Sequence, residues 1–137
     1  MGGPAFVNGH TVPELDNFYK CLIMYDGISY TSSEMVYQSM KSDDKEYKKK
    51  LSEEQDNYLM YRMGQDVSLP EDWEEKKYDC MRIANELKIY QNTGMIGILL
   101  DTYPHEIKFH GSTSYWNEMN AKILTNIRNR ILKKYKT

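Results

Sequence analysis

The sequence predicts a mainly α, α+β fold: a compact multi-helical single domain over residues 1–137 with a small N-terminal antiparallel β element. Three observations carry this reading. Apolar residues recur at helical spacing in the second half of the chain, at Trp73, Cys80, Met81, Ala84 and Leu87 and again at Met119, Ile123, Ile127 and Ile131. Turn-forming pairs fall near the start instead, at Asn8-Gly9 and Asp26-Gly27. A length of 137 residues allows one core and is too short for two comfortable ones.

The elements follow in order. The first 30 residues read as loop and short strand, with segments 20–25 and 28–31 pairing as a hairpin across Asp26-Gly27. Thr31-x-x-Glu34 has the form of a capping box, so a helix is expected from Thr31 to about Lys41. Ser42 and Ser52 each read as a further helix start, Ser52-x-x-Gln55 being a second box, and Gly64 as a C-terminal stop. Pro70 suits the first turn of the helix that carries Trp73 to Leu87. Residues 93–100 form a short apolar helix, 107–109 a strand, and the Met119-to-Ile131 seam a final helix.

Composition narrows the class. Charged residues are 28% and the hydrophobic set 40%, as in ordinary globular proteins and unlike disordered ones. The 12 tyrosines mean that many buried rings carry a hydroxyl in need of a partner. The longest apolar run, Met95 to Leu100, is far too short to cross a bilayer, so no membrane association is expected. The N-terminus has neither a basic region followed by an apolar stretch nor, with Phe6, the residue that myristoylation requires. Cys21 and Cys80 lie far apart with no metal-type pairing, which fits free thiols in a reducing, cytoplasmic setting.

The net charge of −2 conceals an asymmetry. Six of the 18 basic residues (Lys122, Arg128, Arg130, Lys133, Lys134, Lys136) and none of the 20 acids follow Asn120, leaving the rest of the chain at −8. Such a tail either tracks a nucleic-acid backbone or forms the solvated face of a terminal helix.

Familiar catalytic signatures are missing. No P-loop, GxGxxG, HExxH or GxSxG occurs, and His10, His105 and His110 lack ligand spacing, so neither a metal nor a cofactor is expected. Chemistry concentrates in residues 30–41. Glu34, Tyr37 or Gln38, and Lys41 stand at i, i+3/i+4 and i+7, which puts an acid, an amide and an amine along one helical face. Glu34 has the competing role of capping-box residue, and Lys41 that of a solvated surface lysine.

Asp16-Asn17-Phe18-Tyr19, Asp26-Gly27, Tyr30-Thr31, Glu34, Tyr37-Gln38 and Lys41 occur in an order that resembles the NADAR/YbiA-like family. The resemblance continues through Asp72-Trp73, Met81, Lys88, Gln91-Asn92, Leu99-Leu100-Asp101-Thr102, Tyr115-Trp116 and Ile127-Arg128, and so covers nearly the whole chain. It implies N-glycosidic chemistry, as in enzymes that remove ADP-ribose from guanine bases or cleave aminouracil intermediates of riboflavin synthesis. By that resemblance Lys41 is the catalytic amine and Glu34 its acid–base or ribose-orienting partner. An uncharged lysine attacks an anomeric carbon only if its pKa falls well below about 10.4. Burial against Phe18, Tyr37 and Trp73 lowers it, and Glu34 opposes that. Asn17 and Gln38 offer donor–acceptor pairs to ribose hydroxyls or a base edge. Trp73 and Trp116 either stack on a base or, in the case of Trp73, belong to the core.

The chain also departs from the family. Asp16 replaces a Ser, Met35 a His, Thr113 an acid, Asn117 and Ala121 glycines, and Lys108 a Glu of some members, while a glycine-rich loop before the last helix is missing. The expected partner is thus ADP-ribosylated nucleic acid or an ADP-ribose-like small molecule. A small aminouracil riboside is the second enzymatic expectation, and a non-catalytic ADP-ribose-binding module the third.

Overall fold

A computed structural model describes residues 2–135. The N-terminal half begins with two tight hairpins. β1 (Ala5–Val7) pairs with β2 (His10–Thr11), and β3 (Ile23–Tyr25) with β4 (Ile28–Tyr30), both antiparallel. Each turn places two residues at positive φ, Asn8 and Gly9 in the first (51° and 80°) and Asp26 and Gly27 in the second (51° and 79°). That is the geometry of a type I′ turn, which Asn-Gly and Asp-Gly adopt with little strain and whose twist matches the paired strands. The β content exceeds one N-terminal element, because β5 (Ile107–Phe109) runs antiparallel to β1 and completes a three-stranded sheet, β2-β1-β5.

Six helices make up most of the described chain: α1 (Ser33–Ser39), α2 (Lys45–Glu53), α3 (Asn57–Asp66), α4 (Trp73–Gln91), α5 (Thr93–Asp101) and α6 (Ser114–Tyr135). Five expected boundaries move. The N-cap of α1 is Ser32, whose Oγ accepts from Met35 N at 3.1 Å, so Thr31-x-x-Glu34 is not a capping box. Asp44 and Asp56 cap α2 and α3 by accepting from Glu46 N and Leu59 N. Their carboxylates suit the positive helix N-terminus better than the expected Ser42 and Ser52. Ser42 Oγ accepts from Asp44 N just ahead of α2, and Ser52 lies inside α2, donating to Lys49 O. Gly64 does not stop α3. It is buried mid-helix, where an added Cβ would lie 1.9 Å from Gln38 Oε1, so the missing side chain serves close packing. Pro70 precedes α4 and accepts from Trp73 N, ending the loop rather than opening the helix.

One hydrophobic core unites these elements, with α1 at its centre: every residue from Ser33 to Ser39 is buried. α4 packs along α1 and supplies Trp73, Met81, Ala84 and Ile89. Cys80 and Leu87, expected on that stripe, are only half-buried, and Asn85 and Lys88 replace them inside. α6 buries Ile123, Ile127 and Ile131 as expected, joined by Trp116 and Leu124, with Met119 half-buried. Arg128 leaves the solvated tail altogether: Nη1 donates to Thr102 Oγ1 at 2.9 Å and His105 O at 2.7 Å. Lys136, the last expected tail residue, lies outside the described residues. Among the described residues, no helix is long and apolar enough to cross a membrane.

Candidate active site

α1 is held at both ends by polar contacts that orient its chemical face. Asn17 O accepts from Glu34 N at 2.9 Å and from Ser33 Oγ at 3.2 Å. The Asn17 side chain then ties three elements together: Nδ2 donates to Asn120 Oδ1 of α6, and Oδ1 accepts from Ser33 Oγ of α1 and Asn85 Nδ2 of α4. Expected as a substrate contact, Asn17 sits 1% exposed with its amide engaged inside the fold.

Glu34 and Gln38 lie on α1 and Lys41 follows two residues beyond its end, all buried. Gln38 Nε2 donates to Glu34 Oε2 at 2.6 Å, while Gln38 Oε1 faces Gly64 with no hydrogen-bond partner among the described residues. Lys41, just past the helix end, is no surface lysine. It is 5% exposed, its Nζ donates to Gly64 O at 3.3 Å, and it sits 5.7 Å and 6.0 Å from the ring centres of Tyr37 and Trp73. Burial lowers its pKa from the ordinary 10.5, and the charge of Glu34 opposes only part of that. An amine that gives up its proton more readily than a free lysine thus stands close to the Glu34 side chain.

Tyr37, Trp73 and Trp116 form the apolar wall behind that amine. Tyr37 lies tilted at 5.5 Å from Trp73 and edge-on at 5.4 Å from Trp116. Both tryptophans are 5% exposed, so their rings are largely occupied with Tyr37. Burial, then the Glu34 charge, pushes the Tyr37 phenol up, which keeps it a neutral hydrogen-bonding group. Phe18 stands apart from this wall, half-buried on a cavity of about 370 Å³ shared with Tyr58 and Tyr61 of α3.

The sequence reading missed the α3 contribution. Tyr58, Tyr61 and Gly64 fall at i, i+3 and i+6, a spacing that puts them on one face, but only the fold turns that face toward α1. The departures have structural work of their own. Thr113 Oγ1 accepts from Trp116 N and caps α6, and the Asn117 amide clamps Ser112 by accepting from its N and donating to its O, each at 3.2 Å. Asp16 accepts from Ala5 N and fixes the start of β1, and Met35 is fully buried. Among the described residues, no three His, Cys, Asp or Glu side chains are grouped to hold a metal ion.

No protein-family profile matches the chain. N-glycosidase YbiA of Escherichia coli (strain K12) is 30% identical over 108 residues, spanning 77% of this chain and 68% of the relative. The chain belongs to the NADAR/YbiA-like family of N-glycosidases. N-glycosidase YbiA of Shigella boydii is 29% identical over the same share of each chain. The fold agrees: the NMR structure of E. coli YbiA superposes with a TM-score of 0.79 at 26% identity, covering 89% of this chain and 79% of that one. This YbiA-like chain therefore shares its overall architecture with its relative.

Proposed function

We propose that this protein hydrolyses an N-glycosidic bond to ribose and removes ADP-ribose from guanine bases in nucleic acid. The observation that carries the reading is Lys41, a buried amine with a lowered pKa close to the Glu34 side chain. The name of the relatives, N-glycosidase, supports the same bond.

The chemistry runs in three steps. Neutral Lys41 Nζ attacks the anomeric carbon, and the C–N bond to the base breaks with its electron pair leaving on the base nitrogen. Glu34, which first takes the proton that the Lys41 ammonium gives up, donates it to that nitrogen. The sugar ring then opens, the amine proton passing to the ring oxygen, and the sugar remains bound to Lys41 as an imine. Water adds to the imine carbon, and the free sugar departs as the amine is restored. Glu34 recovers its proton from that water. Gln38, bonded to Glu34 Oε2, sets the direction of the carboxylate.

A polymeric substrate is supported by the exposed Lys122, Arg130, Lys133 and Lys134 along α6. A second reading, a glycosidase for small aminouracil ribosides, is favoured by the burial of Arg128 and the pairing of Arg130 with Glu86 at 3.3 Å, which leave fewer charges for phosphates.

One experiment separates them. The protein is incubated with a guanine-ADP-ribosylated oligonucleotide and with an aminouracil riboside phosphate, and free sugar is scored. Release from the oligonucleotide is expected, with apparent affinity falling by roughly 0.7 to 0.9 in log–log slope per phosphate neutralised. Release only from the small riboside, or a flat salt profile, transfers the assignment to the second reading. Binding without release from either overturns the enzymatic one.

A further inference from the structure

In the proposed reaction Lys41 and Glu34 act at the sugar, and the group on the other side of the scissile bond needs a seat of its own. A cavity of about 370 Å³ opens between α3 and the loops that carry Phe18 and Ser112. Its walls connect to the catalytic residues in two ways. Phe18 follows Asn17, whose carbonyl accepts from Glu34 N. Tyr61 stands one turn before Gly64 on α3, and Gly64 O holds Lys41 Nζ. Three residues of helix advance about 4.5 Å, so Tyr61 is anchored within one turn of the residue whose carbonyl holds the reacting amine. Burial and the nearby Glu34 charge both raise the Tyr61 phenol, in keeping with that proximity.

We infer that this cavity is the subsite for the departing nucleobase, with Phe18, Tyr58 and Tyr61 as the rings that receive its planar face. Three rings on one cavity suit a flat aromatic heterocycle, because stacking tolerates any base and needs no charge. The rim is rigid on the far side, where Ser112 is clamped through N and O by the Asn117 amide. Asn117, one of the chain's departures from its family, thus shapes the entrance of this subsite. Tyr58 is the outermost ring at 63% exposure, its hydroxyl accepting from Arg62 Nη1. It closes over a base from the solvent side.

The inference rests on the proposed function, and the test keeps the two apart. Free guanine and free 5-aminouracil are titrated as competitive inhibitors of sugar release by the unaltered protein, Tyr58→Ala and Tyr58→Phe. Circular dichroism confirms that both variants fold. In parallel, the unaltered protein is treated with base-free ADP-ribose and borohydride, and Lys41 is examined for a reduced adduct. Inhibition by at least one base, weakened about ten- to hundredfold in Tyr58→Ala and kept in Tyr58→Phe, is expected. The stronger inhibitor identifies the leaving base as purine or pyrimidine. Undiminished inhibition of Tyr58→Ala, or none of the unaltered protein, overturns the subsite while an adduct at Lys41 leaves the function standing. A missing adduct overturns the reading of Lys41, and the subsite falls with it.

Discussion

Burying an ammonium group without a carboxylate in contact is costly, and the cost is relieved when the proton leaves. Among the described residues Lys41 is in that situation: its Nζ has the Gly64 carbonyl at 3.3 Å and two aromatic rings nearby, and its pKa lies below 10.5 because of burial. The sign follows for catalysis. The neutral amine is the reactive form, so kcat/KM should rise with pH and level off below 10.5; a limb still climbing at or above that value would show Lys41 to be an ordinary exposed amine in solution. Glu34 was legible in the sequence as a charge on the right face, but spacing also made it a capping residue. Ser32 takes the capping role, and the Glu34 carboxylate accepts from Gln38 Nε2 instead. Glu34→Gln should therefore melt close to the unaltered protein while losing roughly 10²–10⁴ in rate, the span of a general acid–base. An active variant with a lowered melting temperature would make Glu34 structural. Asn17 was legible as a polar residue of the site region, yet nothing in a linear sequence tells that its amide joins Ser33, Asn85 and Asn120, 16, 68 and 103 positions away.

At the scale of elements, the site is an interface between α1 and α3. Gly64 sets how closely they approach, since a Cβ there would meet Gln38 Oε1 at 1.9 Å. A glycine just ahead of a polar stretch reads in sequence as a helix stop, and only packing shows it to be a contact point. Gly64→Ala should push Gln38 off Glu34. The expected result is about 1–3 kcal/mol of lost stability, typical of overpacking, together with a fall in kcat. Wild-type kcat in that variant would mean that the Gln38–Glu34 bond has no part in catalysis. Elements defined by local chemistry were readable: the Asp26-Gly27 hairpin, α5 and β5 fall where turn chemistry and apolar runs put them. Boundaries decided by competition between neighbouring caps were not, because Ser42 and Asp44, or Ser52 and Asp56, differ by fractions of a kcal/mol that spacing does not reveal.

At the scale of the whole molecule, the fold tolerates polar groups in its interior by giving them partners from distant segments. Lys88 of α4 is the strongest case: its Nζ donates to Asp16 O at 2.7 Å, next to the residue that organises α1. Burial lowers the Lys88 pKa from 10.5 to about 8. The unfolded chain then binds more protons than the native one between those values, so Lys88 contributes a rise in stability as pH climbs from about 8 to 10.5, and its full penalty is present below pH 8. The rise attributable to Lys88 is roughly 3 kcal/mol at most. Urea unfolding of the unaltered protein and Lys88→Met across that window should show a steeper rise in the first than in the second. Parallel profiles would mean that Lys88 keeps its proton when folded. In the sequence Lys88 appears only among the residues of the family resemblance, because its depth depends on its long-range bond to Asp16 O, which has no local signal.

The central claim is that the amine of Lys41 bonds to the sugar, and the direct measurement is borohydride reduction during turnover followed by peptide mass mapping. Addition of borohydride to the protein turning over an ADP-ribosylated guanine substrate should stop the reaction and leave a stable secondary amine, with the mass of the reduced sugar, on the peptide that contains Lys41. Lys41→Arg should give neither adduct nor turnover, because a guanidinium does not deprotonate under these conditions. Continued turnover with no adduct at Lys41, or normal hydrolysis by Lys41→Arg, would contradict the account.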